Sequence, residues 1–321
     1  MHPRTRRNAQ KPRGGASIAT LLAFTLLACG SASKGGAPSG KPSPSSTDAG
    51  PNAKDAAPAT TPMAEASVAP SCHGPGYAGS PTQQAFSHLS ATVVDGDGKP
   101  ISGLIAQACG TNICLNGTTA SNGSVIIEQD VPKMTKPAFK YADGTAYVRF
   151  ALPLSGSSID VDLGKQATFA FDPPASGAPL VPGEAAVSNG IALTVSAAVP
   201  PDVLDFPTPD LQKFRALEIP IDEVPPAVDP SFSFGMVVAL TPSGTALCPA
   251  AALSVPNSPG WDAGARVELF LHGIDVAEEW APYGGWAKVS EGAVSADGKT
   301  IATDPDGGIP ALSVIGIRLA K

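Results

Sequence analysis

The sequence predicts an all-β protein: two antiparallel β-sandwich domains that follow a tether without a core of its own. Three observations carry this. Beyond Cys72 the apolar residues come in short runs broken by Gly, Asn, Asp and Pro, without the 3.6-residue recurrence of an amphipathic helix. The separators at 95–100, 121–123 and 297–298 are tight-turn chemistry, because Gly and Asn accept the positive φ that hairpin turns need. From Gly30 to Ser71 nearly every residue is Gly, Ala, Pro, Ser or Thr, and such a segment cannot bury enough surface to offset the entropy of ordering it.

Taken in order, the expected strands of the first sandwich are Ser90–Val94, Ile101–Cys109, Ser124–Gln129, Tyr147–Leu152, Ile159–Leu163 and Ala167–Phe171. A boundary is expected in the Pro-, Gly- and Ala-rich stretch Pro173–Ser188. The second sandwich is expected to use Ile191–Ala197, Ala216–Ile221, Gly235–Leu240, Ala251–Val255, Arg266–Leu271, Trp286–Val289, Lys299–Ala302 and Ser313–Leu319. The chain then divides into a signal (1–28), a tether (29–71), an N-terminal sandwich (72–173) and a C-terminal sandwich (174–321). Each folded part is long enough for its own core, although all-β folds also reach this combined length as one domain.

The amino terminus reads as an export signal. Arg4, Arg6, Arg7, Lys11 and Arg13 precede an apolar run from Ala16 to Ala28 with no acidic residue among them, and the run is short of the roughly 20 residues that span a bilayer as a helix. Leu26-Leu27-Ala28-Cys29 resembles a bacterial lipobox. The resemblance implies cleavage before Cys29, diacylglycerol on its sulfur and acylation of the new amino terminus. Two or three chains would hold the protein firmly, whereas one alone binds only marginally. Gly30, where an Asp would signal inner-membrane retention, implies delivery to the outer membrane.

A second resemblance lies in the folded part. Val93-Val-Asp-Gly-Asp-Gly-Lys-Pro-Ile-Ser-Gly103 followed by Gly117-Thr-Thr-Ala-Ser-Asn-Gly-Ser124 is similar to a carboxypeptidase-regulatory-like module. That family implies a sandwich of transthyretin-like or immunoglobulin-like type and a scaffolding or binding role without catalysis.

Removing residues 1–28 takes away five basic side chains and no acid, which leaves a net charge of about −12. No basic cluster remains to neutralise phosphates, so nucleic acid is excluded as a partner. Five cysteines are an odd set for an exported protein. Lipidation of Cys29 leaves Cys72, Cys109, Cys114 and Cys248, with Cys109–Cys114 expected across the Gly-Thr-Asn-Ile turn and Cys72–Cys248 as the long bridge. Zinc is disfavoured because no CxxC pair is present.

Histidine limits the chemistry further, since only His73, His88 and His272 follow the signal. No HExxH, GxSxG or P-loop motif is present, nor a GxGxxG after a strand. His272 with Asp275 and Glu278 is the best metal or catalytic candidate, and its plain reading is a polar loop after a strand. Asp304 and Asp306 resemble a fragment of a calcium loop without its distant Glu, and Asp95 and Asp97 read as turn residues. The acidic residues Asp202, Asp205, Asp210, Asp222, Glu223 and Asp229 read as a solvated face, with Ca²⁺ as the alternative occupant. Trp280, Tyr283 and Trp286 could form a stacking platform for sugar rings, but large side chains in a Trp-poor β protein are needed for its core. The expected protein is an outer-membrane lipoprotein with no catalytic residues and no cofactor. It binds a glycan or an envelope protein, or forms a passive part of an envelope assembly; the rival is a hydrolase centred on His272.

Overall fold

A computed structural model describes residues 73–77, 82–128, 133–156, 158–197 and 210–321. These described residues belong to one compact unit. The expected all-β class is found. The first part holds β1 (Gln83–Gln84), β2 (His88–Val94), β3 (Ile105–Cys109), β4 (Cys114–Thr118), β5 (Ser124–Glu128), β6 (Met134–Thr135), β7 (Ala138–Tyr141), β8 (Leu152–Pro153) and β9 (Asp160–Ala167). A three-stranded sheet in the order β5-β2-β9 faces a four-stranded sheet in the order β4-β3-β7-β8. Between them lie Leu89, Ala91, Val93, Ala106, Ala108, Leu115, Val125, Ile127, Phe139 and Tyr141. Their alternation along each strand is the period-two pattern that puts every second side chain inside. All pairings in these two sheets are antiparallel except β2 with β9, which is parallel.

The second part holds β10 (Ala185–Ser188), β11 (Ile191–Thr194), β12 (Arg215–Ile219), β13 (Met236–Thr241), β14 (Ala246–Pro256), β15 (Arg266–His272), β16 (Trp286–Val294), β17 (Thr300–Thr303), β18 (Ile309–Ala311) and β19 (Val314–Leu319). Nine of these run β10-β11-β14-β17-β16-β15-β19-β13-β12, and β18 pairs with β14. Every strand of the nine sends residues into one core, from Ala186 and Ile191 through Leu253, Leu269 and Ile301 to Ile317 and Ala216. The sheet therefore curls on itself, and its two ends meet: Ser188 Oγ accepts the Ala216 N–H at 3.0 Å, and the Asn189 amide donates to the Ala216 carbonyl at 2.8 Å. Asn189 and Gly190 have φ of 50° and 76°, the two positive values of a type I′ hairpin between β10 and β11.

Several expectations are corrected. The stretch 147–152 is not a strand of a sheet: only Leu152 enters β8, while the Val148 N–H donates to the Phe169 carbonyl and the Ala151 N–H to His272. Of the two strands expected over 159–171, the first is found as β9, which bends at Gly164 (φ 62°) and runs on to Ala167, whereas 168–171 has only an isolated bridge between Ala170 and Tyr147. The expected boundary stretch contains β10. Residues 73–77 pack on the second part rather than the first, since the Gly76 and Tyr77 N–H groups donate to the carbonyls of Glu279 and Glu278. A shared core of Val148, Phe150, Phe171, Phe234, Phe270 and Trp286 joins the two parts. Among the described residues no helix is long and apolar enough to cross a membrane.

Candidate functional site

A groove of about 590 Å³ lies on the second part. The first half of β14 supplies its floor through Leu247, Pro249, Ala250 and Ala252, flanked by Thr194 and Ser196 from the end of β11. One wall is the turn from Pro305 to Pro310. The other is Trp280 with Pro75 and Tyr77. Both walls depend on close backbone approach at a glycine. A Cβ at Gly307 would lie 2.7 Å from Ser290 Oγ, which accepts the Gly308 N–H at 3.0 Å, and a Cβ at Gly74 would lie 2.0 Å from the Glu279 carbonyl oxygen.

The lining is mostly ring and proline surface, with a few oxygens. Thr194 brings a hydroxyl and Asp306 a carboxylate. Lys288 contributes its alkyl stem, because its ammonium is drawn out to Glu268 at 3.0 Å and to Glu291. Those two carboxylates hold the Lys288 ammonium above its ordinary pKa, Glu291 more strongly. Trp280 is half-buried, and its indole Nε1 is enclosed without a hydrogen-bond acceptor. Behind it lies a second cavity of about 70 Å³, walled by Leu271, His272, Leu312 and Ser313.

The three aromatic residues do not form a common exposed platform. Trp286 is buried, donates its indole N–H to the Ala227 carbonyl at 3.0 Å, and packs against Phe234 and His272. Tyr283 is buried between the two parts; its hydroxyl donates to the Cys109 carbonyl at 3.3 Å, and burial pushes its pKa up. Trp280 alone of the three reaches the groove.

His272, Asp275 and Glu278 diverge. The His272 ring is fully buried; Nε2 accepts the Ala151 N–H at 2.9 Å, and Nδ1 faces the Gly285 carbonyl at 3.0 Å. An acceptor at Nε2 places the proton on Nδ1, where it donates to Gly285. Burial brings the ring's pKa down to about 4, against the smaller upward pull of these hydrogen bonds. Glu278 pairs with Lys136 and accepts the Tyr283 N–H at 3.0 Å, whereas Asp275 is exposed and caps the Ala277 N–H.

The remaining acidic candidates are spread over the surface. Asp304 forms a two-pronged pair with Arg266 at 2.8 and 2.6 Å, which holds its carboxyl below the usual range. Asp95 accepts the Lys99 N–H within its turn, and Asp97 is exposed. Asp210 pairs with Lys213, Asp229 caps Ser231, and Asp222 and Glu223 are exposed. His73 pairs with Glu279 and His88 with Glu128. Asp202 and Asp205 lie outside the described residues. Among the described residues no group of three His, Cys, Asp or Glu side chains is placed to hold a metal ion.

Cys109 and Cys114 are disulfide-bonded across the β3–β4 turn, as expected. Cys248 is also disulfide-bonded; Cys72, expected as its partner, lies outside the described residues, as does Cys29. Of the groove residues, Trp280 and Asp306 stood out in the sequence as residue types. Tyr77, Thr194, Pro249, Pro305 and Pro310 carried no local signal, because the groove is assembled from six separate stretches of chain.

No family model matches the chain, and no curated protein matches it. Among solved structures, that of a proposed carbohydrate binding protein from Bacteroides uniformis aligns with 74% of this chain and 99% of its own. The identity is 7% and the TM-score 0.17, a likeness too loose to bear on fold or function.

Proposed function

We propose that the protein is a lipid-anchored envelope protein whose β unit is a noncatalytic binding module, with the Tyr77–Trp280 groove as its ligand site. The groove carries this reading: its volume of about 590 Å³ falls in the range of small-ligand sites, and rings, prolines and a few oxygens line it. Trp280 and Tyr77 offer ring faces to the apolar faces of a saccharide or to the side chains of a peptide. Thr194 and Asp306 offer oxygens to hydroxyl or amide groups. The lipobox ending at Cys29 supports the anchor, and its Gly30 supports the outer membrane. The reading calls for no cofactor.

The rival hydrolase needs a histidine free to exchange protons. His272 has both ring nitrogens committed to backbone groups in the core, a positioning that serves packing. The test is titration of the mature chain with soluble muropeptides, which carry saccharide and peptide together, and with neutral oligosaccharides, read by tryptophan fluorescence. Saturable quenching that weakens at least about tenfold in Trp280→Ala is expected. No saturation with either probe class, or equal quenching in the variant, overturns the reading.

A further inference from the structure

The groove is poor in hydrogen-bond donors. Pro75, Pro249, Pro305 and Pro310 line it without a backbone N–H. On the walls, Gly307 donates its N–H to the Asp304 carbonyl at 2.9 Å, Gly308 to Ser290 Oγ at 3.0 Å and Tyr77 to the Glu278 carbonyl at 3.0 Å. The Trp280 indole N–H is enclosed and therefore closed to anything in the groove. The Thr194 hydroxyl remains as a donor.

Its charge is one-sided as well. Among the described lining residues, Lys288 and Asp306 carry charge. The Lys288 ammonium belongs to a surface network in which Arg266, Lys288 and Arg318 pair with Glu268, Glu291 and Asp304, three cations against three carboxylates. Asp306 stands outside that balance: it is exposed, and among the described residues no cation pairs with it. The chain's formal charge of −7 adds to the local excess. A carboxylate on one wall thus faces the rings of Trp280 and Tyr77 on the other, and the negative face of an aromatic ring also attracts a cation.

These two features sort the ligands. A carboxylated or phosphorylated ligand would meet Asp306 and find no free cation. A peptide brings a carbonyl with every residue and needs a donor for each one it buries, whereas the wall donors above are spent. A hexosamine with its amine free supplies what the groove lacks, an ammonium and hydroxyl donors, together with an apolar face for the rings. We propose that the ligand is a glycan of de-N-acetylated hexosamine, its ammonium on Asp306 and its pyranose faces on Trp280 and Tyr77. The inference rests on the groove being the ligand site. N-acetylation removes the charge and adds a carbonyl that the groove has little means to satisfy, so it acts against binding twice.

The test is calorimetric titration of the mature chain at about pH 6, where the amines are protonated, with fully deacetylated chitobiose and with N,N′-diacetylchitobiose. The amine form should bind at least about tenfold more tightly. Asp306→Asn, a surface change expected to leave the denaturant midpoint in place, should bind the two forms alike, and Trp280→Ala should weaken both. Tetralysine, which carries ammonium groups without pyranose faces, should not compete. Equal or tighter binding of the acetylated form, or a preference that survives in Asp306→Asn, overturns the amine inference; if that binding still depends on Trp280, the ligand-site reading stands. Competition by tetralysine as strong as by chitobiose overturns the glycan. Silence of both disaccharides overturns the inference, and the ligand-site reading falls with it only if muropeptides and neutral oligosaccharides also fail to saturate.

Discussion

The imidazole of His272, at the end of β15, accepts its hydrogen bond from the backbone N–H of Ala151, 121 residues earlier in the chain. With Gly285 as acceptor on the other side of the ring, the histidine joins the two parts of the unit in its neutral form. A proton on Nε2 would set two donors against each other.

Stability should therefore depend on pH through this one ring. Its folded pKa of about 4 lies below the ordinary 6.5, so between these values the unfolded chain takes up a proton that the folded chain refuses. Stability is fully present above pH 6.5 and falls as pH drops through the window, by on the order of 3 kcal/mol. Urea unfolding at pH 7.5 and 4.5 should show a smaller loss for His272→Gln than for wild type. Equal losses would remove the histidine as the cause.

Glu278 and Asp275 should part company on substitution. Glu278 and its partner Lys136 expose 12% and 18% of their side chains, and Glu278 also receives the Tyr283 N–H. Glu278→Ala strands a cation and an amide between the two parts and should cost about 2–4 kcal/mol. Asp275→Ala, on the surface, should stay within about 0.5 kcal/mol. Denaturant midpoints of the two variants decide this, and similar values would contradict the structural role assigned to Glu278.

Ser188→Ala should open the join between β10 and β12. It leaves the Ala216 N–H without its acceptor, at a cost of about 1–3 kcal/mol. Hydrogen exchange should localise the effect: the Ala216 amide should lose protection while those in β15 keep theirs.

Calcium should not stabilise the 304–307 turn, because Arg266 already takes both carboxylate oxygens of Asp304. Thermal unfolding with and without about 2 mM Ca²⁺ should agree within about 1 °C. A larger upward shift that is lost in Asp304→Ala would make Asp304 a metal ligand after all.

The β class was legible because the strands that build both cores, such as Arg266–His272 and Val314–Leu319, are apolar runs bounded by turn residues. The β3–β4 disulfide was legible for a similar local reason, a short turn between two cysteines. β4 was missed because Leu115-Asn-Gly-Thr118 has one strong β-former, and what makes it a strand is pairing with β3. β10 was hidden in a Pro- and Gly-rich stretch, although Asn189-Gly190 directly after it is a hairpin signal. The run 147–152 has the composition of a strand, yet its polar backbone groups are satisfied by Phe169 and by a histidine side chain, a tertiary choice that no local pattern encodes. The groove was illegible as a whole for the same reason, since Tyr77, Thr194, Pro249 and Pro305 meet only once the sheet has curled.

The meeting of Ser188 and Asn189 with Ala216 has a consequence for molecules crowded side by side. A terminal strand ordinarily offers its bare amides and carbonyls to the next chain, and proteins held at high density on a two-dimensional surface meet that hazard constantly. Here the groups that Ala216 would present to such a neighbour are already taken from within the same chain. On the lipid anchor proposed above, the large sheet could be packed densely at a membrane with this part of its edge closed to runaway strand exchange.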